Sequence, residues 1–269
     1  MSQVDRCFDI LELFFENPRG LTLSEISTRT DIPMATAHRI LGFIKARGYV
    51  YQDAREVYYL SLRLPSMGAH FIVGTGFSEL LQPHLNQLAA ETGEHIRLSA
   101  VVDGRLIWVL RAVVSIHGLQ YRGALDTNIV PHITASGKMW LSSLKDEEAV
   151  RVVSQWGIEK PGAHGGPNAV TSIKALLHDL DRIRKDGYAL IMEEAEIGVG
   201  AVAVGVYGPS RANRLLGTLS IAGPIARLDR RKLKSMVPQL RQTADKVQET
   251  WHVWASVNAE PIVQLAQAG

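Results

Sequence analysis

Cysteine is almost missing from this chain: Cys7 stands alone among 269 residues. That excludes an internal disulfide and any multi-cysteine metal centre, and it fits a reducing compartment. Net charge is small as well, since 29 Lys plus Arg against 27 Asp plus Glu give +2. Neither a basic tail nor an acidic solvating segment exists, so any nucleic-acid surface has to be local. No apolar run reaches the roughly 18 residues of a membrane span. Asp5, Arg6, Asp9 and Glu12 interrupt the first residues where a signal peptide needs an apolar stretch, which predicts a cytoplasmic protein with no membrane partner. The nine histidines include no H-x-x-x-H pair and no His/Cys cluster, so neither a metal site nor a cofactor is expected. His132 and His164 stand in Pro/Gly contexts that read as loops. The glycines from Gly198 to Gly205 lack the G-x-G-x-x-G spacing of a nucleotide loop and read as a buried strand. No nucleophile with a plausible base is identifiable, so no catalytic residue is assigned.

What the chain does have is 46% hydrophobic residues, enough for two cores. In the first sixty residues, Val4, Cys7, Phe8, Leu11 and Phe14 repeat at the spacing of one buried helical face, and Asn17-Pro18-Arg19-Gly20 ends the helix. Ser24 is suited to cap a short second helix through Arg29, and Asp31-Ile32-Pro33 then turns the chain. From Met34 to Arg47, Ala37, Ile40, Leu41 and Ile44 face inward, leaving Ala35, Thr36, His38, Arg39 and Gly42 outside. After Gly48, residues 49–52 and 57–60 form a β-hairpin around a turn through Asp53 to Glu56. Two helices joined by a tight turn and followed by a hairpin make a winged helix-turn-helix, whose second helix enters the major groove of DNA. Charge agrees locally: residues 1–63 are neutral, yet Arg29, Arg39, Lys45 and Arg47 face only Asp31 within 29–47. The competing reading of these cations is an ordinary solvated helix face.

Gly74-Thr75-Gly76 breaks the pattern, and Phe77 to Thr92 resumes a helix through Leu80, Leu81, Leu88 and Ala89. Residues 96–101 and 105–113 are then β-rich runs joined at Asp103-Gly104, a dipeptide suited to a two-residue hairpin turn. Thr134 to Leu141 opens a helix, and Ile173, Leu176, Leu177, Leu180 and Ile183 mark another that stops at Gly187. Residues 199–207 and 215–221 are further strands, and Asp229 caps a last helix that Pro238 can kink. Strands and helices mixed in this way predict an α+β second domain with helices on a sheet.

The stretches RCFDILELF, LTLSEISTRTDIPMATAHRIL, YYLSLRLPSMG, PHITASGKMWL, EEAEIGVGAVAVGV and GTLSIAGPIARL together resemble, in order and spacing, the IclR family of transcriptional regulators over roughly residues 3–250. The resemblance implies a winged helix-turn-helix over 1–62, a helical linker over 63–92, a GAF-like effector-binding domain over 93–250, and a tail over 251–269. It also implies homodimers or homotetramers on double-stranded operator DNA, switched by small molecules that are often organic acids. The family's DNA contacts carry over to Thr36, His38 and Arg39, and Lys45, Arg47 and Arg55 are further candidates. Met34-Ala35 replaces a frequent Lys-Ser.

In the effector domain the resemblance points to the Ala135-Ser136-Gly137 turn, whose amides suit an anion, and to Ser220. Ile191, Ala201 and Ala222 stand where the family often has an acid, a cysteine and a second serine. Trp108 and Tyr121 are candidates to flank a ring. The expected effector is therefore a compact molecule with one polar end and an apolar or aromatic body. The alternatives are an enzyme or a protein-interaction module using the same pocket.

Overall fold

The computed structural model describes residues 2–113, 129–158, 165–208 and 214–257. The chain divides into two compact units, Met1–Gly74 and Thr75–Gly269.

The first unit begins with α1 (Gln3–Glu16), where Ser2 and Asp5 form a capping box. Ile10 and Phe14 are buried, but Val4 and Phe8, counted above on the buried face, are largely exposed. The apolar band of α1 is wider than the surface that covers it, and these two lie on its open side. A two-residue strand, β1 (Leu21–Thr22), leads into α2 (Leu23–Thr30). Its cap is Thr22 rather than the expected Ser24: the Thr22 hydroxyl accepts from the Glu25 amide, and the Glu25 carboxylate accepts from the Thr22 amide. That reciprocal pairing satisfies two orphan donors, which Ser24 cannot do.

Asp31, in the left-handed conformation, ends α2, and Pro33 opens α3 (Met34–Ala46). Ala37, Ile40, Leu41 and Ile44 are buried, as the spacing predicts. The wing is β2 (Val50–Gln52) with β3 (Val57–Leu60), and the sheet order is β1-β3-β2, antiparallel throughout. Asp53 builds the wing turn, its carboxylate accepting from the Arg55 and Val57 amides and from the Tyr59 hydroxyl. Gly20 has φ +82° and lies against Tyr59, so close that a Cβ would sit 2.5 Å from the ring. A side chain there would push α1 off the wing. The unit closes with α4 (Arg63–Gly74).

The second unit starts with α5 (Phe77–Thr92), followed by β4 (His95–Val102) and β5 (Arg105–Ala112). Asp103 and Gly104 both have positive φ, the geometry of the predicted turn. Then come α6 (Ala135–Ser142), α7 (Asp146–Ser154), α8 (Ile173–Asp186), β6 (Ala189–Met192), β7 (Val199–Tyr207), β8 (Leu215–Pro224) and α9 (Arg230–Val257). The five strands form one antiparallel sheet in the order β5-β4-β8-β7-β6. Strand side chains alternate between two apolar layers. Ile96, Leu98, Val202, Val204, Leu219 and Ile221 pack with α5 and α9, whereas Ile191, Ala201, Ala203 and Leu215 pack with α6, α7 and α8.

The expected linker is thus divided. α4 belongs to the first unit, and α5 buries Leu81, Leu85, Leu88 and Ala89 in the second. Residue 251 does not begin a tail, because α9 continues to Val257. Trp254 is buried, its indole N–H donating to the Thr75 carbonyl at 2.6 Å, and the Phe77 ring meets Trp251 and Trp254 edge-on. Residues 258–269 of that expected tail lie outside the described residues.

Candidate nucleic-acid interface and candidate ligand site

In the first unit, the buried positions of α3 fix which residues face away. Ala35, His38, Arg39 and Gly42 all lie exposed on the opposite side, as does Phe43, 58% exposed. Thr36 is half-buried at the border. Pro33 supplies no side-chain cap; its carbonyl accepts from the Thr36 and Ala37 amides. The Met34 and Ala35 amides therefore remain at the helix start without an acceptor among the described residues, where an anion would be favoured. Lys45 is partly committed, its ammonium donating to Gln52 of the wing at 3.0 Å. Arg47 is exposed at the end of α3, and Arg55 reaches out from the wing turn while pairing with Asp53 at 3.2 Å. The six cations and polar groups named from the sequence thus divide between the α3 face and the helix-end and wing positions.

The second unit gathers residues that are far apart in sequence. Strand register aligns His95, Ala222, Ala201 and Ile191 as one row across β4, β8, β7 and β6, on the face covered by α6. The next row is Arg97, Ser220, Ala203 and Ala189. Ile191, Ala201 and Ala222, the three positions at which the sequence resemblance marks apolar residues in place of polar ones, are therefore neighbours on one floor. Ser220 is buried beside them, with its hydroxyl 3.5 Å from the Arg97 carbonyl oxygen, a weak contact. At the β4 end the Arg97 guanidinium lies 4.8 Å over the Trp108 ring and donates through Nε to His95 at 3.3 Å. Deeper along the sheet, the Ser99 and Thr218 hydroxyls bond each other at 2.7 Å. Tyr121 lies outside the described residues.

Opposite this floor, all eight residues of α6 are buried. Thr134 caps the helix, its hydroxyl accepting from the Gly137 amide and donating to the Val130 carbonyl. The Gly137 amide is therefore occupied within the chain, and the residue has a packing role: a Cβ would lie 2.4 Å from the Pro131 backbone. Lys138, 1% exposed, is held between Asp179 at 2.6 Å and Glu194, while Arg182 also donates to Asp179. Burial raises the Glu194 carboxyl above its ordinary pKa despite the pull of Lys138.

Two polar groups at the start of α6 have no such partners. Ser136 is 1% exposed and His132 2% exposed, and among the described residues neither the Ser136 hydroxyl nor His132 Nδ1 has a hydrogen-bond partner. Burial, helped by Lys138, lowers the His132 pKa. His132 lies in the turn that precedes α6, as its Pro/Gly context predicts, whereas the sequence alone does not single out His95 or Arg97. The alternation of His95 and Arg97 with the apolar Ile96 and Leu98 was the available signal for the latter two. Among the described residues no group of three or more His, Cys, Asp or Glu is placed to hold a metal ion. No described helix is long and apolar enough to cross a membrane.

Comparison with known proteins adds the following. The family model for the bacterial transcriptional regulator IclR C-terminal region matches residues 69–249, and that for the IclR helix-turn-helix domain matches residues 3–54. The HTH-type transcriptional repressor AllR of Escherichia coli K12 is 24% identical over 242 residues, spanning 90% of this chain and 87% of the relative. The HTH-type transcriptional regulator KdgR of the same strain is 28% identical over 248 residues, spanning 92% and 91%. The crystal structure of an IclR homolog from Microbacterium hydrocarbonoxydans, complexed with 4-hydroxybenzoate, has the same fold at a TM-score of 0.69. It is 22% identical and covers 93% of this chain and 98% of that one.

Proposed function

This chain belongs to the IclR family of bacterial transcriptional regulators, and on that premise we propose how its two units divide the work. The protein is a ligand-responsive DNA-binding regulator and not an enzyme. In our reading α3 is the recognition helix. Arg39 and His38 reach base edges, and Thr36 with the first α3 amides contacts phosphate. Lys45, Arg47 and Arg55 add phosphate contacts beside the groove.

The effector lies between the sheet floor and α6, and the observation that carries this reading is the cross-strand row His95–Ala222–Ala201–Ile191. Three of its four members are small or apolar, and polar groups gather at the β4 end with Arg97. A flat apolar floor with a charge at one edge suits a ring bearing a carboxylate, flanked by Trp108. A highly oxygenated small acid would leave polar atoms unpaired against Ile191, Ala201 and Ala222, at about 1–3 kcal/mol each. The homolog bound to 4-hydroxybenzoate supports the same class.

The regulator works as at least a homodimer, since one recognition helix reads too few base pairs for useful specificity. Exposed Phe8, Phe15, Leu62 and Phe71 favour self-association of the first unit. Light scattering should return at least twice the 29.6 kDa of one chain.

The deciding experiment is a gel-shift titration of the full-length protein on DNA upstream of its own coding region, with benzoate and hydroxybenzoates added. Preferential binding over random DNA, altered by at least one of these acids, is expected. Equal binding to both DNAs would remove the operator assignment, and indifference to every aromatic acid would remove the effector class.

A further inference from the structure

α3 carries one large side chain to which no role has been given. Phe43, in the third turn, is 58% exposed, and among the described residues it packs against neither the core of the first unit nor another ring. A single exposed apolar residue is ordinary, but the position of this one is not. Ala35, Arg39 and Phe43 follow at four-residue intervals and form one ridge, opposite the buried Ala37, Ile40, Leu41 and Ile44. Gly42 and Ala46 are exposed beside that ridge, and a Cβ on Gly42 would meet no atom within 4 Å. The backbone can therefore approach a surface closely here, and Arg39 and Phe43 are the two long side chains that project from the ridge.

We infer that Phe43 is a specificity-determining residue that reads the 5-methyl group of a thymine in the major groove, one or two base pairs from the base met by Arg39. This rests on α3 being the recognition helix, as proposed above. The major groove presents donors and acceptors at every base pair and one apolar projection, the thymine methyl, which a phenylalanine ring can contact. Over any other base edge the ring would strip water from polar atoms and offer no hydrogen bond in return. The spacing follows from helix geometry. Four residues rise about 6 Å along α3, against about 3.4 Å between successive base pairs. A second copy of the chain suits Phe43 less well. The exposed Phe8, Phe15, Leu62 and Phe71 lie elsewhere, on α1 and on or beside α4, whereas the neighbours of Phe43 on its ridge are an arginine and small residues that make no apolar patch.

The test uses the full-length protein, its Phe43→Ala, Phe43→Leu and Arg39→Ala variants, and duplexes enriched from a random-sequence library by the parent protein. Each thymine of the enriched site is replaced in turn by deoxyuridine, which removes the methyl group and leaves every hydrogen-bonding atom in place. At one thymine per half-site this exchange should weaken binding by the parent about three- to five-fold, the effect of losing one buried methyl contact. Phe43→Ala should bind the two duplexes equally, and Phe43→Leu should keep part of the difference. Phe43→Ala should also melt within about two degrees of the parent, as expected of a surface change. An exchange that costs nothing at any thymine, or costs the parent and Phe43→Ala alike, overturns this inference while leaving α3 as the reading helix. A melting point several degrees lower for Phe43→Ala, or a smaller oligomer in light scattering, overturns it too, since the ring would then pack against protein. If no sequence is enriched, or if Arg39→Ala binds the enriched duplex as tightly as the parent, α3 is not the reading helix and this assignment falls with it.

Discussion

Two short helices, α3 in the first unit and α6 in the second, use their polar residues in opposite ways. α3 turns His38, Arg39 and Lys45 outward and keeps four apolar residues inside. α6 has no outside at all, so Ser136, Lys138 and Ser142 are enclosed with the rest. The contrast shows how recognition is tied to stability in each place. An exposed arginine on α3 contributes little to folding, and its contacts with a partner are separable from the fold. A lysine or serine within α6 has to be satisfied somewhere, by the protein or by a ligand, and changing it alters folding and binding together.

The sharpest way to break this contrast is Lys138→Met. It removes the ammonium between Asp179 and Glu194 and should cost about 3 kcal/mol of stability in urea unfolding, near the lower end for a broken buried pair because Asp179 keeps some contact with water. Adding Glu194→Leu should recover much of that loss. A loss below about 1 kcal/mol for the single change would mean that α6 is far better hydrated than its burial indicates.

Next in size is Arg39→Ala, expected to weaken operator binding by about 1–3 kcal/mol in fluorescence titrations if the side chain reads a base. Its unfolding midpoint should match the parent. Equal weakening on operator and random DNA would reassign Arg39 to a phosphate, and no weakening on either would remove α3 as the reading helix.

The smallest expected effect is the most specific to α3. Gly42 sits mid-helix with no atom within 4 Å of where a Cβ would be. Gly42→Ala should therefore stabilise the protein by about 0.8–1 kcal/mol in urea unfolding, through helix propensity alone. If operator affinity falls at the same time, the middle of α3 lies hard against the duplex. If affinity is unchanged, the contacts are confined to its first turns.

The same two helices show what was legible in the sequence. α3 was readable because one face is wet and the other dry, so its apolar residues recur at helical spacing. The hairpin turn at Asp103-Gly104 was readable because few other dipeptides accept two positive φ values. α6 could be started at Thr134, but a helix buried all round has no periodicity to mark which residues face a ligand. β6, four apolar residues between a helix stop and two glutamates, gave too short a run to distinguish from a helix end. The Thr22–Glu25 capping box and the three acids opening α7 are helix-start signals that the sequence carries for those two helices. The departures at 191, 201 and 222 could be noticed one by one. That they form a single row is a property of strand register, which depends on pairings between residues far apart in the chain.

Strand order also has a consequence for how the second unit comes into being on the ribosome. β8, the last of the described strands to be synthesised, lies in the middle of the sheet and, among the described strands, is what joins the β4–β5 hairpin to the β6–β7 pair. At translation rates of about 5–20 residues per second, the hairpin emerges roughly ten seconds before its inner neighbour, with the backbone edge of β4 unpaired throughout. Neither half can close into a sheet first, so the unit assembles late and cooperatively around β8. The nascent chain therefore passes through an interval in which a chaperone or a second hairpin can compete for that edge.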